Sequence, residues 1–265
     1  MKCWYINLAG SEARRAHMEA EAARVGIALE RMEAVDGRVL SAAALQAVCP
    51  GPGLFKQLRG VEVACVLSHR ALWQRIVDGT DAYAAVFEDD VRFGDGVAEL
   101  LTDTDWIPPD AQLIKLETTS RRVLLRGPTR ALPHGRSLWR LRSKHLCTGG
   151  YIIARACAAE LIERTRTITN PVDHLLFNPE LGFANSHTIY QLSPALYIQQ
   201  VRSPAQFLPP GAAATEARGL RGKSRHDVPA LLREAGRSLA KPLRAVAHGS
   251  TAWIFGGRWG VVPFR

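Results

Sequence analysis

Apolar and polar positions along the chain fall into alternating blocks of two periods. Lys2 to Leu8 is a short hydrophobic run with aromatics and reads as a first strand. Ser11 starts a helix running to about Val25, with Glu12 in its first turn and Gly26 as its stop. Ala28 to Val35 predicts a second strand closing on the Asp36-Gly37 turn, and Ser41 opens a short Ala-rich helix that Pro50 ends. After an irregular stretch to about Arg59, Val61 to Asp78 predicts a helix stopped by Gly79. Cys65, Leu72 and Ile76 share one of its faces, and His69 falls between them.

The next run is Tyr83-Ala-Ala-Val-Phe-Glu-Asp-Asp-Val91, an apolar strand ending in three acids. Further strands are predicted at Gln112–Glu117, Val123–Leu125, Ser137–Leu141 and Gly149–Ala154, the last leading into a helix from about Ala156 to Arg166. Pro171 sits where a first helical residue belongs and opens a short helix carrying Asp173 and His174. Ile189 to Gln200 is strand-like but broken by Pro194, which argues for an edge position or two pieces. Strands alternating with helices predict an α/β fold with a mostly parallel sheet and helices on both faces. Composition shifts to Ala, Gly and Arg after Pro209-Pro-Gly211. This divides the chain into a domain over 1–210 and an extension over 211–265, with a basic amphipathic helix predicted at Val228–Val246 and an aromatic end. There is no internal repeat.

Length and composition are those of a globular α/β domain with an appendage: 265 residues, 47% hydrophobic, 22% charged. No run approaches the ~20 apolar residues that cross a bilayer. The start is too soon polar for a signal peptide, so a cytoplasmic location is expected. Five widely spaced cysteines form no paired motif and are expected to be reduced, mostly in the core. From Glu216 onward ten Lys/Arg face three acids, so +7 of the whole-chain +9 lies in the extension. That asymmetry predicts an anionic partner, and a membrane surface fits it better than nucleic acid, because the body is near neutral and no nucleic-acid motif occurs.

The acidic triplet carries the candidate chemistry. Ligands in open α/β sheets bind beyond the carboxyl ends of the strands. Side chains alternate along a strand, so Glu88 and Asp90 are expected on one side and Asp89 on the other. Two hard oxygen donors on one side suit Mg²⁺ or Mn²⁺. The plain alternative is a polar strand end and a solvated turn.

Several blocks, in order over roughly residues 3 to 205, resemble glycosyltransferase family 25, which includes bacterial lipooligosaccharide galactosyltransferases. They are Tyr5-Ile-Asn-Leu8 with Arg14-Arg15-Ala-His17, Ala34-Val-Asp-Gly37, and Val63-Ala-Cys-Val-Leu-Ser-His-Arg70 with Trp73. The later ones are Val86-Phe-Glu-Asp-Asp-Val91, Thr148-Gly-Gly-Tyr-Ile-Ile153 and Pro171-Val-Asp173. The resemblance implies a GT-A-type fold and an inverting, metal-assisted transfer of a hexose, galactose foremost, from a UDP-sugar to a lipopolysaccharide or lipooligosaccharide saccharide. The acceptor would lie at the inner face of the plasma membrane. The alternatives are a metal-dependent nucleotide-sugar hydrolase or nucleotidyltransferase, and a non-catalytic nucleotide-sugar or glycan-binding protein.

Under that resemblance Asp90 is the foremost metal ligand, with Glu88 as second ligand or ribose contact and Asp89 as a donor-sugar contact. Inversion needs a base for the acceptor hydroxyl. Asp173 is the first candidate, against a purely structural acid at a helix start, and Glu117, which also ends a strand, is the second. Ser68 and His69 match the helix block and are expected in the donor pocket, against a satisfied core histidine. Asn7 and Arg14 are expected near base and ribose, Asp36 near uracil or ribose, Arg202 at the diphosphate, and His187 at a metal or diphosphate site. Lys115 is expected to pair with an acid.

Overall fold

A computed structural model describes residues 1–52, 57–199 and 256–265. The elements in chain order are β1 (Lys2–Asn7), α1 (Glu12–Val25), β2 (Glu30–Glu33), α2 (Ala42–Val48), α3 (Gly60–Asp78), β3 (Tyr83–Glu88), β4 (Val91–Phe93) and α4 (Val97–Thr102). Then come β5 (Leu113–Lys115), β6 (Arg122–Leu132), β7 (Arg136–Leu141), β8 (Gly150–Ala154), α5 (Arg155–Arg164), α6 (Val172–Phe177) and α7 (Phe183–Ser186). The last are β9 (Ile189–Ser193), β10 (Tyr197–Gln199) and β11 (Gly257–Val261).

Nine strands form one sheet in the order β11-β6-β7-β9-β5-β8-β3-β1-β2. The pairings make β1, β2, β3, β5, β6 and β9 run one way and β7, β8 and β11 the other. The β2-β1-β3 block is wholly parallel, so its three carboxyl ends share one edge. Period-two alternation splits the side chains into two cores. Trp4, Val86 and Ile153 enter one with Trp73 of α3 and Leu161 of α5, while Tyr5, Phe87 and Ile152 enter the other with Met18 of α1. Both faces are therefore covered, and the α/β class read from the alternating blocks is the observed architecture.

Local signals act where expected at several helix ends, although Ser11 precedes α1 without a side-chain capping hydrogen bond. Gly26 closes α1 in the left-handed conformation, φ 72°, and accepts no Cβ penalty there. Ser41 Oγ accepts from Ala44 N at 3.1 Å to cap α2. Pro171 stands one residue earlier than predicted, as the extended cap before α6. Pro194 does split its segment in two: β9 joins the main sheet, and β10 pairs with β4 in a two-stranded sheet.

The end of the extension returns to the domain. β11 pairs antiparallel with β6, Phe264 bridges Ala195, and fully buried Val262 accepts the Thr118 hydroxyl on its carbonyl at 2.6 Å. The helix predicted at Val228–Val246, the 210/211 boundary and Trp253, Ile254 and Phe255 lie outside the described residues. No helix among the described residues is long and apolar enough to cross a membrane.

Candidate active site

A cleft of about 400 Å³ opens beyond the carboxyl ends of β1, β2 and β3, roofed by α3. Ile6, Leu8 and Val35 supply apolar wall, and Arg14, Asp36, Arg38 and the three acids supply the polar rim. Two glycines set its width. A Cβ on Gly37 would lie 2.6 Å from the Val61 Cα, and one on Gly60 would lie 2.8 Å from the Gly37 carbonyl. The turn after β2 therefore touches the first turn of α3 backbone to backbone, which brings Ala64, Cys65, Ser68 and His69 to the cleft.

The strand alternation expected for the acids is not what forms. β3 ends at Glu88 and the chain turns through Asp89 and Asp90, so all three carboxylates line the same cleft. A strand would have sent Asp89 to the opposite face; the turn removes that constraint. Asp89 is held by Asn7 Nδ2 at 2.8 Å and Arg14 at 3.0 Å. Burial pushes its pKa above the ordinary value despite Arg14 and Asn7. Asp90 Oδ1 is buried with no hydrogen-bond partner among the described residues. Burial and then the charges of Glu88 and Asp89 raise Asp90 to about 7. Burial opposes the ionised form of Glu88 as well. The His69 ring, the Thr148 hydroxyl at 2.7 Å and the Lys115 charge outweigh it and hold Glu88 below its ordinary value.

On α3, Ser68 Oγ donates to Ala64 O at 2.7 Å and accepts from Val35 N at 2.9 Å, tying helix to turn. His69 is 1% exposed, with Nδ1 2.9 Å from the Tyr151 hydroxyl and Nε2 3.7 Å from Glu88 Oε1. Trp73 Nε1 donates to the same tyrosine oxygen at 2.8 Å. Burial and then the charges of Glu88, Asp173 and Glu62 push the Cys65 thiol above its ordinary value.

Asp173 lies at the start of α6, partly buried, and accepts from Cys147 N at 3.2 Å and His174 N at 2.8 Å. Glu117 pairs with a buried lysine. It is fully buried, with Lys115 Nζ 2.6 Å away, and Lys115 also donates to Cys147 O at 2.5 Å and lies 4.1 Å over the Phe177 ring. Lys115 is paired with an acid, as expected, and Glu117 serves the loop beneath the site.

His187 is a correction. Its Nε2 is 2.8 Å from Glu160 and its ring stacks on Phe183 at 3.9 Å. Glu160 lines a separate cavity with Tyr83, the first residue of β3, whereas Glu88 is the last. Six strand residues span roughly 17 Å, so His187 joins neither metal site nor diphosphate. Asn7 is 1% exposed and spends its amide on Asp89, Ser11 O and Arg31, supporting the rim from below. Asp36 stands on the rim, drawn down to about 2 by hydrogen bonds from Arg38. Arg202 lies outside the described residues. Sequence reasoning missed Cys147, Thr148 and Tyr151 as site supports. The Thr148-Gly149-Gly150 block was the available signal: a Cβ on Gly150 would lie 2.6 Å from Phe87 and from the Tyr197 hydroxyl.

A sheet edge thus presents three acids and a basic residue to a roofed cleft. The family model described as "Glycosyltransferase family 25 (LPS biosynthesis protein)" matches residues 1–176. The chain belongs to that family. It is 34% identical over 206 residues to the lacto-N-neotetraose biosynthesis glycosyltransferase LgtB of Neisseria gonorrhoeae, covering 74% of this chain and 73% of that one. It is 32% identical over 213 residues to LgtE of the same organism, covering 77% and 75%. The lipooligosaccharide biosynthesis protein lex-1 of Haemophilus influenzae is 34% identical over 152 residues, covering 54% and 50%.

Proposed function

We propose that this glycosyltransferase moves a hexose, galactose foremost, from a UDP donor to a saccharide of lipooligosaccharide or lipopolysaccharide, with inversion at the transferred carbon. The observation that carries the donor site is the convergence of Glu88, Asp89 and Asp90 on one cleft, with Asp90 Oδ1 buried and unpartnered among the described residues. Family membership and the names of the relatives support the acceptor class.

A buried carboxylate oxygen without a partner, next to a second carboxylate, fits an oxygen-ligated Mn²⁺ or Mg²⁺ held by Asp90 and Glu88. Bound there, the cation supplies charge that offsets the diphosphate as it leaves. The chain's own groups do the rest. Arg14, anchored on Asp89, places a guanidinium at the rim. The apolar wall of Ile6, Leu8 and Val35 takes a base and ribose. Asp173, kept in place by two backbone N–H groups, accepts the acceptor hydroxyl's proton as that oxygen attacks the anomeric carbon opposite the leaving group. The basic segment between β10 and β11 brings the enzyme to an anionic membrane surface on the cytoplasmic side, where each cation near the surface contributes on the order of 1 kcal/mol.

The test is UDP release from a panel of UDP-sugars with Mn²⁺ and with EDTA, on the wild type and on Asp90→Ala. Metal-dependent release from one preferred sugar, lost in Asp90→Ala, supports the proposal and names the donor. No release from any UDP-sugar, with no metal-dependent UDP binding, overturns the donor-site assignment.

A further inference from the structure

The cleft contains a second set of donor atoms that shares only Glu88 with the oxygen-ligated cation. Cys65 Sγ, a His69 ring nitrogen and a Glu88 carboxylate oxygen all lie within 4.8 Å of one another, the one such cluster of three among the described residues. Cys65 and His69 are four apart on α3, so one helix face delivers both, and Glu88 comes to them from the end of β3. His69 is 1% exposed, and its Nε2 has no hydrogen-bond partner among the described residues although it points toward Glu88. Its other nitrogen rests on the Tyr151 hydroxyl at 2.9 Å, and Trp73 fixes that hydroxyl from the other side at 2.8 Å. An oxygen partner on the far nitrogen is the usual support of a metal-binding histidine, because it orients the ring and leaves the near lone pair for the ion. All three residues line the open cleft, which gives an ion a way in.

We propose that Cys65, His69 and Glu88 form a binding site for a thiophilic divalent cation, Zn²⁺ in the first place. Sulfur, imidazole and carboxylate together match zinc, whereas Mg²⁺ and Mn²⁺ prefer the all-oxygen pair of Asp90 and Glu88. Water completes the coordination from the cleft. On binding, the Cys65 S–H bond breaks, sulfur keeps the electron pair for the metal, and the proton passes to solvent; no electron is transferred. Because Glu88 belongs to both sets, zinc at this site excludes the oxygen-ligated cation and inhibits transfer. That consequence, unlike the site itself, rests on the proposed role of Glu88 in the transferase.

The test is equilibrium dialysis of the full chain, reduced and metal-stripped, against Zn²⁺ alone. One equivalent is expected for the wild type, with affinity weakened ~100-fold in Cys65→Ser and Mn²⁺ binding unchanged in that variant. No zinc above the protein-free control, or equal affinity in Cys65→Ser, overturns the site. Co²⁺ in the wild type provides a check that needs no variant: a thiolate-to-cobalt charge-transfer band supports the site and its absence overturns it. Alkylation of Cys65, followed by peptide mapping, is expected to slow in the presence of Zn²⁺; an unchanged rate counts against the site. Zinc that binds through Cys65 yet leaves Mn²⁺-dependent transfer intact would uphold the site and remove Glu88 from the catalytic cation.

Discussion

Lys115 and Asp173 grip opposite sides of one residue, Cys147. The Lys115 ammonium donates to the Cys147 carbonyl at 2.5 Å, and Asp173 Oδ2 accepts the Cys147 N–H at 3.2 Å. Cys147 has φ 77°, a left-handed conformation that a β-carbon makes costly, so the grip on both sides holds a strained loop in place. The next residue, Thr148, hydrogen-bonds Glu88. One short loop therefore connects the proposed base, a buried ion pair and a proposed metal ligand.

Removing the base tests the chemistry directly. Asp173→Asn keeps the size of the side chain but offers one carbonyl oxygen to the two backbone N–H groups, of Cys147 and His174, that the carboxylate accepts. Its kcat is expected to fall by about 10²- to 10⁴-fold, with the donor KM unchanged and a small drop in melting temperature from the lost backbone acceptor, in steady-state assays with a saccharide acceptor. A kcat within a few-fold of the wild type would assign Asp173 to structure alone.

The ion pair beneath the loop is fully buried on both sides. Lys115→Met leaves the Glu117 carboxylate without its cation in that interior and is expected to cost about 3–5 kcal/mol of stability. Lys115→Met with Glu117→Gln removes both charges and is expected to recover most of that loss. Urea unfolding of the two variants and the wild type measures the difference. Equal destabilisation in the single and the double variant would show that the unpaired Glu117 charge is not what destabilises Lys115→Met.

Asp90 supplies a pH prediction. Its pKa is raised in the folded protein, to about 7 from 3.8, so the folded state binds its proton more tightly than the unfolded chain does. The stability that the protonated form contributes is fully present below about 3.8 and is lost as pH rises through about 7. Asp90→Asn, which cannot ionise, is thus expected to raise the melting temperature at pH 8 and to change it little at pH 4. Cation binding to the wild type requires the ionised form and should strengthen as pH rises from 6 to 8. A metal affinity flat across that range contradicts the assignment of Asp90 as ligand.

The approach of Gly37 to α3 leaves no room for a side chain. Gly37→Ala forces the turn and the helix apart and is expected to cost roughly 1–3 kcal/mol, read by thermal unfolding. Because the same contact sets the cleft width, its UDP affinity should fall as well, measured by calorimetry. Gly10→Ala, where the added carbon meets nothing within 4 Å, is the matched control.

Hydrophobic periodicity located many of the strands and helices, because side-chain spacing along a strand or helix is a local property, but it did not find β4, α4, α7 or β11. It placed β1, α1, α3, β3 and β8 within a residue or two and put three acids at the end of β3. Pro194 marked its own break for an equally local reason, since its ring removes a backbone donor. What the sequence could not determine was which residues meet across the fold. The turn that sends Asp89 into the cleft begins where pairing with β1 and β8 stops, and those partners are far away in sequence. His187 and Glu117 were lesser candidates than Asp90, named for residue type or strand position. Tertiary packing gave the first to Glu160 and the second to Lys115, because a buried charge or imidazole takes the partner that the fold brings within reach. It also brought Cys65, His69 and Glu88 together, and returned the chain's last residues to β6, contacts set by the closure of the whole sheet.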